Sequence, residues 1–151
     1  MYVNKETGKL GEDIAVHYLK QNGYVILDRN FECRQGEIDI IALDKKEIVF
    51  IEVKTRTSNK YGAPSEAVNK IKQKHMLQTI KYYLYIRNLS DEFIRIDVIE
   101  VYIKNNVYKV NHIKQAFEGW RGKKSAKGDG EFWHKIMQKL KGHLIQDVLL
   151  V

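Results

Sequence analysis

The sequence is poor in cysteine and proline. Its 151 residues include one of each, Cys33 and Pro64. A single cysteine excludes an internal disulfide and any zinc site built from several cysteines. No apolar run reaches the roughly 18–20 residues that span a bilayer, and Met1 to Leu10 lacks the apolar stretch of a signal peptide. We therefore expect a cytoplasmic protein without a membrane partner.

Positive charge is what the sequence has in excess. It contains 26 lysines and arginines against 19 aspartates and glutamates, which gives a net charge of +7. Phosphates attract such a chain, so we expect a nucleic-acid partner, with DNA preferred to RNA. The length suits one main domain, expected over residues 1–118. A basic, Gly-rich linker is expected at 119–130, followed by an amphipathic or apolar tail at 131–151.

Hydrophobic periodicity predicts the order α-β-β-β-α-β with a short trailing strand. The predicted elements are helices at Lys9–Asn22 and Asn69–Arg87, strands at Tyr24–Phe31, Glu37–Leu43, Glu47–Thr55, Phe93–Ile103 and Val107–Asn111, and a helical turn at Ile113–Phe117. The short turn after the second strand makes strands two and three antiparallel neighbours. The long crossover helix favours parallel pairing of strands three and four. This predicts an α/β fold with a mixed central sheet flanked by helices.

The third predicted strand carries charge on one face. Side chains alternate along a strand, so Glu52 and Lys54 share a face while Val49, Ile51 and Val53 point into a core. A Glu-x-Lys pair in a strand is more often a solvated ion pair than a catalytic one. The strand before it changes the weight of the two interpretations.

The second predicted strand contributes another carboxylate. Alternation is expected to place Asp39 on one face and Ile38 and Ile40 on the opposite face. The hairpin then brings Asp39 beside Glu52. A carboxylate pair facing a lysine, one hairpin apart and followed by a crossover helix, gives the catalytic interpretation of the Glu-x-Lys pair equal weight with the solvated ion pair.

Carboxylates inside central strands are costly unless they are paired, and a metal ion relieves that cost. Oxygen ligands such as Asp39 and Glu52 suit Mg²⁺ or Mn²⁺. The bound ion would polarise a phosphodiester oxygen and acidify a water. Lys54 would position that water or offset charge at the phosphorus. The arrangement predicts metal-dependent hydrolysis of phosphodiester bonds.

Four segments carry a resemblance to a known family: Gly8–Ala15, Gly23–Asn30, Gly36–Ala42 and Val49–Arg56. Later matches are Gly62, Glu66–Val68, Lys72, Tyr83–Leu84 and Arg95–Ile99. The chain resembles the YraN-like family (uncharacterised protein family 0102) up to about Phe117. That resemblance implies the restriction-endonuclease-like, PD-(D/E)xK fold and a similarity to Holliday-junction resolvases.

The resemblance also implies roles for individual residues. Asp39 and Glu52 would ligate the metal together with the Val53 carbonyl, and Lys54 would be the catalytic lysine. Glu12 would be the additional acid that completes a resolvase-like site, although it could instead be a first-turn acid favoured by the helix dipole. The motif's nominal proline is absent, because Ile38 precedes Asp39.

Further residues are candidates for contact with nucleic acid. They are Glu37, Arg56, Gln73, Lys74, Arg121, Lys123 and Lys124. Each has a plain alternative as a solvated side chain or a surface ion pair. Tyr82, Tyr83 and Tyr85 resemble a stacking surface for bases, although Tyr83 also fits the core stripe of its helix. Asp97, inside the fourth strand, is expected to pair with Arg56 or Arg95.

We therefore expect a Mg²⁺- or Mn²⁺-dependent nuclease that acts on DNA, including branched or single-stranded forms. Two rival functions stay open: a binding module that keeps the fold without turnover, and an adaptor recruited through its basic tail. A homodimer is compatible with each of the three.

Overall fold

The computed structural model describes residues 4–57, 70–89 and 92–116. Its elements are α1 Lys5–Gln21, β1 Val25–Cys33, β2 Gly36–Asp44, β3 Glu47–Arg56, α2 Lys70–Ile86, β4 Ile94–Lys104 and β5 Val107–Ile113. The predicted order of elements is therefore confirmed. The architecture is mixed α/β, with a five-stranded sheet and two helices.

Helix α1 begins four residues before the predicted start. The Asn4 side chain accepts a hydrogen bond from the Thr7 backbone N–H at 2.8 Å, which satisfies one of the free donors of the first turn. At the other end, Gly23 adopts a φ of +83°, a conformation that glycine tolerates better than other residues. These two signals set the length of the helix. The predicted cap of α2, Asn69, lies outside the described residues.

The sheet has the strand order β1-β2-β3-β4-β5. The β3–β4 pair is parallel and the other three pairs are antiparallel, as the hairpin and crossover arguments predicted. The helical turn expected from Ile113 is wrong in its described part. Ile113 still pairs with Val98 as the last residue of β5, and residues 114 and 115 form a turn that is not helical, after which the Ala116 N–H donates to the Ile96 carbonyl at 2.9 Å.

Apolar side chains form one core on each face of the sheet. The core under α2 consists of Leu27, Ile38, Ile41, Leu43, Ile48, Phe50, Met76, Ile80, Tyr83, Leu84, Leu89, Ile94 and Ile96. The core under α1 consists of Ala15, Val16, Leu19, Tyr24, Ile40, Ala42, Val49, Ile51, Ile99 and Val101. Ile38 and Ile40 thus lie on opposite faces, which corrects the expectation that they share one. Regular alternation is interrupted at the residue between them, Asp39.

A buried polar network joins the strands on the α1 face. Asp97, fully buried, accepts from Arg95 at 2.9 and 3.0 Å and contacts His112 Nε2 at 2.7 Å. Arg95 also donates to the Tyr24 hydroxyl at 3.0 Å. Burial would raise the pKa of Asp97, but the hydrogen bonds from His112 and Arg95 outweigh burial and lower it. Of the two predicted partners of Asp97, Arg95 is therefore the correct one.

No helix within residues 4–57, 70–89 and 92–116 is both long and apolar enough to cross a membrane.

Candidate metal centre

Asp39 lies where β2 and β3 separate. Regular pairing of these strands runs from Asp44 opposite Glu47 to Ile40 opposite Ile51 and stops there. One residue further, the Val53 N–H donates to Asp39 Oδ2 at 2.8 Å. A carboxylate thus accepts the bond that a backbone carbonyl would accept in a continuous ladder. The interruption of β2 fixes the Asp39 side chain against β3.

Glu52 and Lys54 share the α2 face of β3. Ile48 and Phe50, on the same alternation, belong to the core under α2, while Val53 packs against the other core. The Glu52 side chain is 7% exposed, and its Oε1 lies 3.3 Å from Lys54 Nζ. The structure therefore brings together the carboxylate and the lysine that strand alternation predicted to be neighbours.

Lys72 is a member of this cluster that we did not predict as a site residue. It projects from the first turn of α2, and its Nζ donates to the same oxygen, Glu52 Oε1. Its side chain is 44% exposed, against 24% for Lys54. In the sequence Lys72 was visible as a family-matching position only. Its contact with Glu52 depends on how α2 crosses the sheet, which no local pattern reveals.

The charge of the Glu52 carboxylate perturbs the neighbouring Asp39 carboxyl. Burial and the neighbouring charge of Glu52 raise the pKa of Asp39 from 3.8 to about 8, against the opposing effect of the Val53 N–H. The raised pKa favours the protonated form of Asp39 when no metal ion is bound. Two neighbouring carboxyl groups whose negative charges oppose each other form a donor set that fits a hard divalent ion.

The two lysines respond differently to this environment. Burial, together with the adjacent Lys72, lowers the pKa of Lys54 against the attraction of Glu52. Burial works in the same direction on Lys72, but the hydrogen bond and charge of Glu52 outweigh it and raise the pKa of Lys72. Lys72 is thus the principal ionic partner of Glu52.

Glu12 approaches the centre from α1. It is eight residues into the helix, so its alternative role as a first-turn acid is wrong, and Glu6 occupies that turn. Burial raises the pKa of Glu12, and the charge of Glu12 in turn contributes to the raised pKa of Asp39. A Cβ added at Gly11 would lie 1.9 Å from Thr55 Oγ1, so glycine permits the close crossing of α1 and β3 that brings Glu12 near.

Within the described parts of the chain, no group of three or more His, Cys, Asp or Glu residues is arranged to hold an ion. The protein would supply two carboxylates and one backbone carbonyl, and water would supply the rest. Mg²⁺ is commonly held in this way, by one or two carboxylates and several waters.

The other predicted contact residues are more scattered. Glu37 is exposed, and its charge contributes to the raised pKa of Glu12. Arg56, the last residue of β3, is partly buried. Its charge lowers the pKa of Tyr102 on β4, against the larger opposing effects of burial and Glu100. Gln73 is partly buried and Lys74 is exposed on α2. Arg121, Lys123 and Lys124, together with the predicted linker and tail, lie outside the described residues.

A further buried carboxylate, Glu100, escaped prediction. It is fully buried on β4, in parallel register beside Lys54. The Tyr102 hydroxyl donates to one oxygen at 2.9 Å and the Asn111 side chain to the other at 3.0 Å. Both oxygens thus have neutral donors, so Glu100 remains satisfied without a metal. The only sequence signal was an acid within a strand of β-branched residues.

Comparison with known proteins gives a consistent family. The model of Uncharacterised protein family UPF0102 matches residues 11–101. A UPF0102 protein of Clostridium botulinum is 50% identical over 120 residues, covering 78% of this chain and 98% of the relative. One from Caldicellulosiruptor bescii is 51% identical over 116 residues, with coverages of 75% and 98%.

Among solved structures, a protein of unknown function from Silicibacter pomeroyi is similar over 94% of this chain and 88% of its own, with 16% identity. Its TM-score of 0.35 is too low to support an argument about fold or function.

Proposed function

The chain belongs to uncharacterised protein family UPF0102, and from the geometry of its carboxylate–lysine cluster we propose that it is a metal-dependent nuclease. The proposed fold is the restriction-endonuclease-like, PD-(D/E)xK type. The proposed reaction is hydrolysis of phosphodiester bonds in DNA, including branched or single-stranded forms. The observation that carries the proposal is the clustering of three side chains on β2 and β3: Glu52 Oε1 lies 3.3 Å from Lys54 Nζ, and the Val53 N–H between them holds Asp39 Oδ2 at 2.8 Å.

Each residue of the cluster has a role in this proposal. Asp39, Glu52 and the Val53 carbonyl would hold Mg²⁺ or Mn²⁺. The ion would polarise the phosphodiester and acidify a bound water. Val53 also orients Asp39 through its N–H. Glu12 would act on the centre through its charge, from the α1 side.

The two lysines of the cluster have different roles in this proposal. Lys54, the more buried, lies beside Glu52 and would orient the attacking water or stabilise charge on the phosphorus. Lys72, the more exposed, would leave Glu52 for a substrate phosphate once the carboxylate is occupied. A lysine is a suitable point charge for a phosphate but cannot be a metal ligand, since its ammonium has no free electron pair.

The test is single-turnover cleavage of labelled branched, single-stranded and duplex DNA and of RNA, in Mg²⁺ and in Mn²⁺. Lys54→Ala should reduce cleavage about 100-fold or more, the scale of removing a main electrostatic stabiliser, while metal binding stays largely intact. Asp39→Asn and Glu52→Gln should lose both, because a neutral amide is a poorer ligand for a hard cation. Calorimetric titration measures the metal affinity.

Matched controls exist on the same sheet. Glu47→Gln changes an acid at the opposite end of β3, and Lys104→Ala removes an exposed lysine at the end of β4. Both should cut like the native chain. Cleavage by Lys54→Ala at the native rate would place the activity elsewhere. DNA binding without cleavage by any preparation would establish the binding module instead.

A further inference from the structure

Helix α2 has an exposed face that the catalytic proposal does not use. We call it the α2 outer face and define it by Lys74, Gln78, Lys81, Tyr82 and Tyr85, all of which are exposed. Tyr82 is 41% exposed and Tyr85 is 75% exposed. Tyr83, between them in sequence, is buried in the core, so helical periodicity separates the outer tyrosines from the structural one.

We propose that the α2 outer face binds unpaired bases of a nucleic acid, with Tyr82 and Tyr85 stacking on bases and Lys74 and Lys81 contacting phosphates. This inference rests on the proposed function and deepens it, because it specifies a substrate with a single-stranded segment. Exposed aromatic rings among lysines are the composition of single-strand binding surfaces.

The position of the α2 outer face supports this proposal. Lys72, whose side chain reaches Glu52, is on the same helix as Tyr82. Ten residues of helix rise about 15 Å, which corresponds to about four base steps of one DNA strand. The flank of α2 also adjoins the β1–β2 turn, where a Cβ at Gly36 would lie 3.0 Å from Thr79. A strand bound along this face would therefore run toward the end of α2 from which Lys72 reaches Glu52.

The packing behind Tyr82 also supports the proposal, because it holds the ring in place. The Tyr82 ring lies against Phe31 of β1, with ring centroids 6.4 Å apart and an interplanar angle of 31°. Phe31 in turn packs edge-on against the buried Tyr83, with centroids 5.0 Å apart. The exposed tyrosine is thus supported from behind, so little rotamer freedom remains to be lost when a base stacks on it.

Charge identifies the occupant. Helix α2 contains Lys70, Lys72, Lys74 and Lys81 and no acidic residue. A second copy of the chain that used the same face would place these lysines against one another, which opposes a symmetric dimer. A polyanion neutralises them. Duplex DNA satisfies the lysines but keeps its bases stacked on each other, so the tyrosines select unpaired bases.

The experiment measures binding in EDTA, where cleavage cannot occur, using the full chain. The probes are a fluorescent 20-nucleotide single strand and a blunt duplex of the same sequence, followed by anisotropy. Tyr85→Ala should weaken single-strand binding about tenfold, the scale of one lost stacking contact, and change duplex binding by less than about twofold. Tyr82→Ala should behave alike, and Tyr85→Phe should retain native binding.

The matched control is Tyr108→Ala, which removes a tyrosine that is 52% exposed on β5, away from α2. It should leave both affinities unchanged. Tyr85 is the decisive position because it is the more exposed of the two tyrosines. Its truncation should leave the fold intact, so a loss of single-strand affinity reports on binding. Equal losses for single strand and duplex, or none, would overturn the inference.

Two further outcomes separate this inference from the proposed function. If the tyrosine variants lose single-strand binding and the native chain never cuts, the nuclease proposal fails and the binding face stands. If the native chain cuts and the variants bind and cut single strands normally, the binding face fails and the nuclease stands. A change in sedimentation without a change in binding would assign the face to self-association, which also overturns the inference.

Discussion

Replacing Asp39 by asparagine should stabilise the metal-free protein at alkaline pH. An asparagine side chain can still accept from the Val53 N–H through its oxygen, and its amide can donate to Glu52 as a protonated carboxyl does. The replacement therefore reproduces the protonated form of Asp39 and removes the charged one. The same change should abolish activity, so stability and function are expected to move in opposite directions.

The magnitude follows from the raised pKa of Asp39. Its value is 3.8 when unperturbed and about 8 in the folded chain, because of burial and Glu52. A raised pKa in the folded state favours protonation, so the contribution of Asp39 to stability is complete below pH 3.8 and is lost as the pH rises to 8. At 1.36 kcal/mol for each pH unit, the loss by pH 7 is at most about 4 kcal/mol.

The partial exposure of Asp39 and the nearby lysines make the loss smaller than this maximum. We therefore expect Asp39→Asn to raise the free energy of unfolding by at least about 1 kcal/mol, or the Tm by ~2–4 °C for a chain of this size. The assay is thermal unfolding of both proteins in EDTA from pH 4 to pH 9. The curves should meet near pH 4 and separate up to about pH 8. The control is Asp13→Asn, which changes an exposed acid paired with Arg29. An Asp39→Asn protein less stable than the native chain at pH 8.5 would refute the reasoning.

Two further predictions concern neighbouring positions. Lys72→Met should tighten Mn²⁺ binding in calorimetry by several-fold, because one cation beside the ligand carboxylates is removed. The control, Lys81→Met on the outer side of α2, should leave Mn²⁺ affinity unchanged. Weaker Mn²⁺ binding by Lys72→Met would contradict this prediction. Gly11→Ala should destabilise the fold by about 1–3 kcal/mol in denaturant titrations, because its Cβ would lie 1.9 Å from Thr55 Oγ1. Gly8→Ala, with no atom within 4 Å of the added Cβ, should instead stabilise α1 by roughly 0.5–1 kcal/mol; equal effects of the two substitutions would argue against close packing at Gly11.

Local patterns predicted the elements and part of the candidate centre. The order of helices and strands and the antiparallel hairpin follow from periodicity and turn length. The proximity of Glu52 and Lys54 follows from alternation on one strand. These features depend on residues close together in the sequence, which is why sequence reasoning could reach them.

Tertiary features were beyond the same reasoning. Ile38 and Ile40 lie on opposite faces, and the Asp39 side chain between them accepts from the Val53 N–H of β3 in place of a backbone carbonyl of β2. The contact of Lys72 with Glu52 depends on where α2 crosses the sheet. Strict alternation and single-helix patterns carry no information about either, since both depend on how one element meets another.

The single parallel pairing in the sheet has a consequence for the order in which the molecule assembles. The hairpin pairings close short loops, whereas Ile48 of β3 pairs with Ile94 of β4, roughly 45 residues later in the chain. Closing this loop is therefore the step with the largest single loss of loop-closure entropy, and we expect it to limit the folding rate. Asp39, Glu52 and Lys54 can meet before that step, but Lys72 belongs to the crossover it closes. In pulsed hydrogen exchange, the β2–β3 amides should gain protection before those of β4, and simultaneous protection would contradict this order. A nascent chain would then carry its paired acids before it carries the lysine that neutralises them.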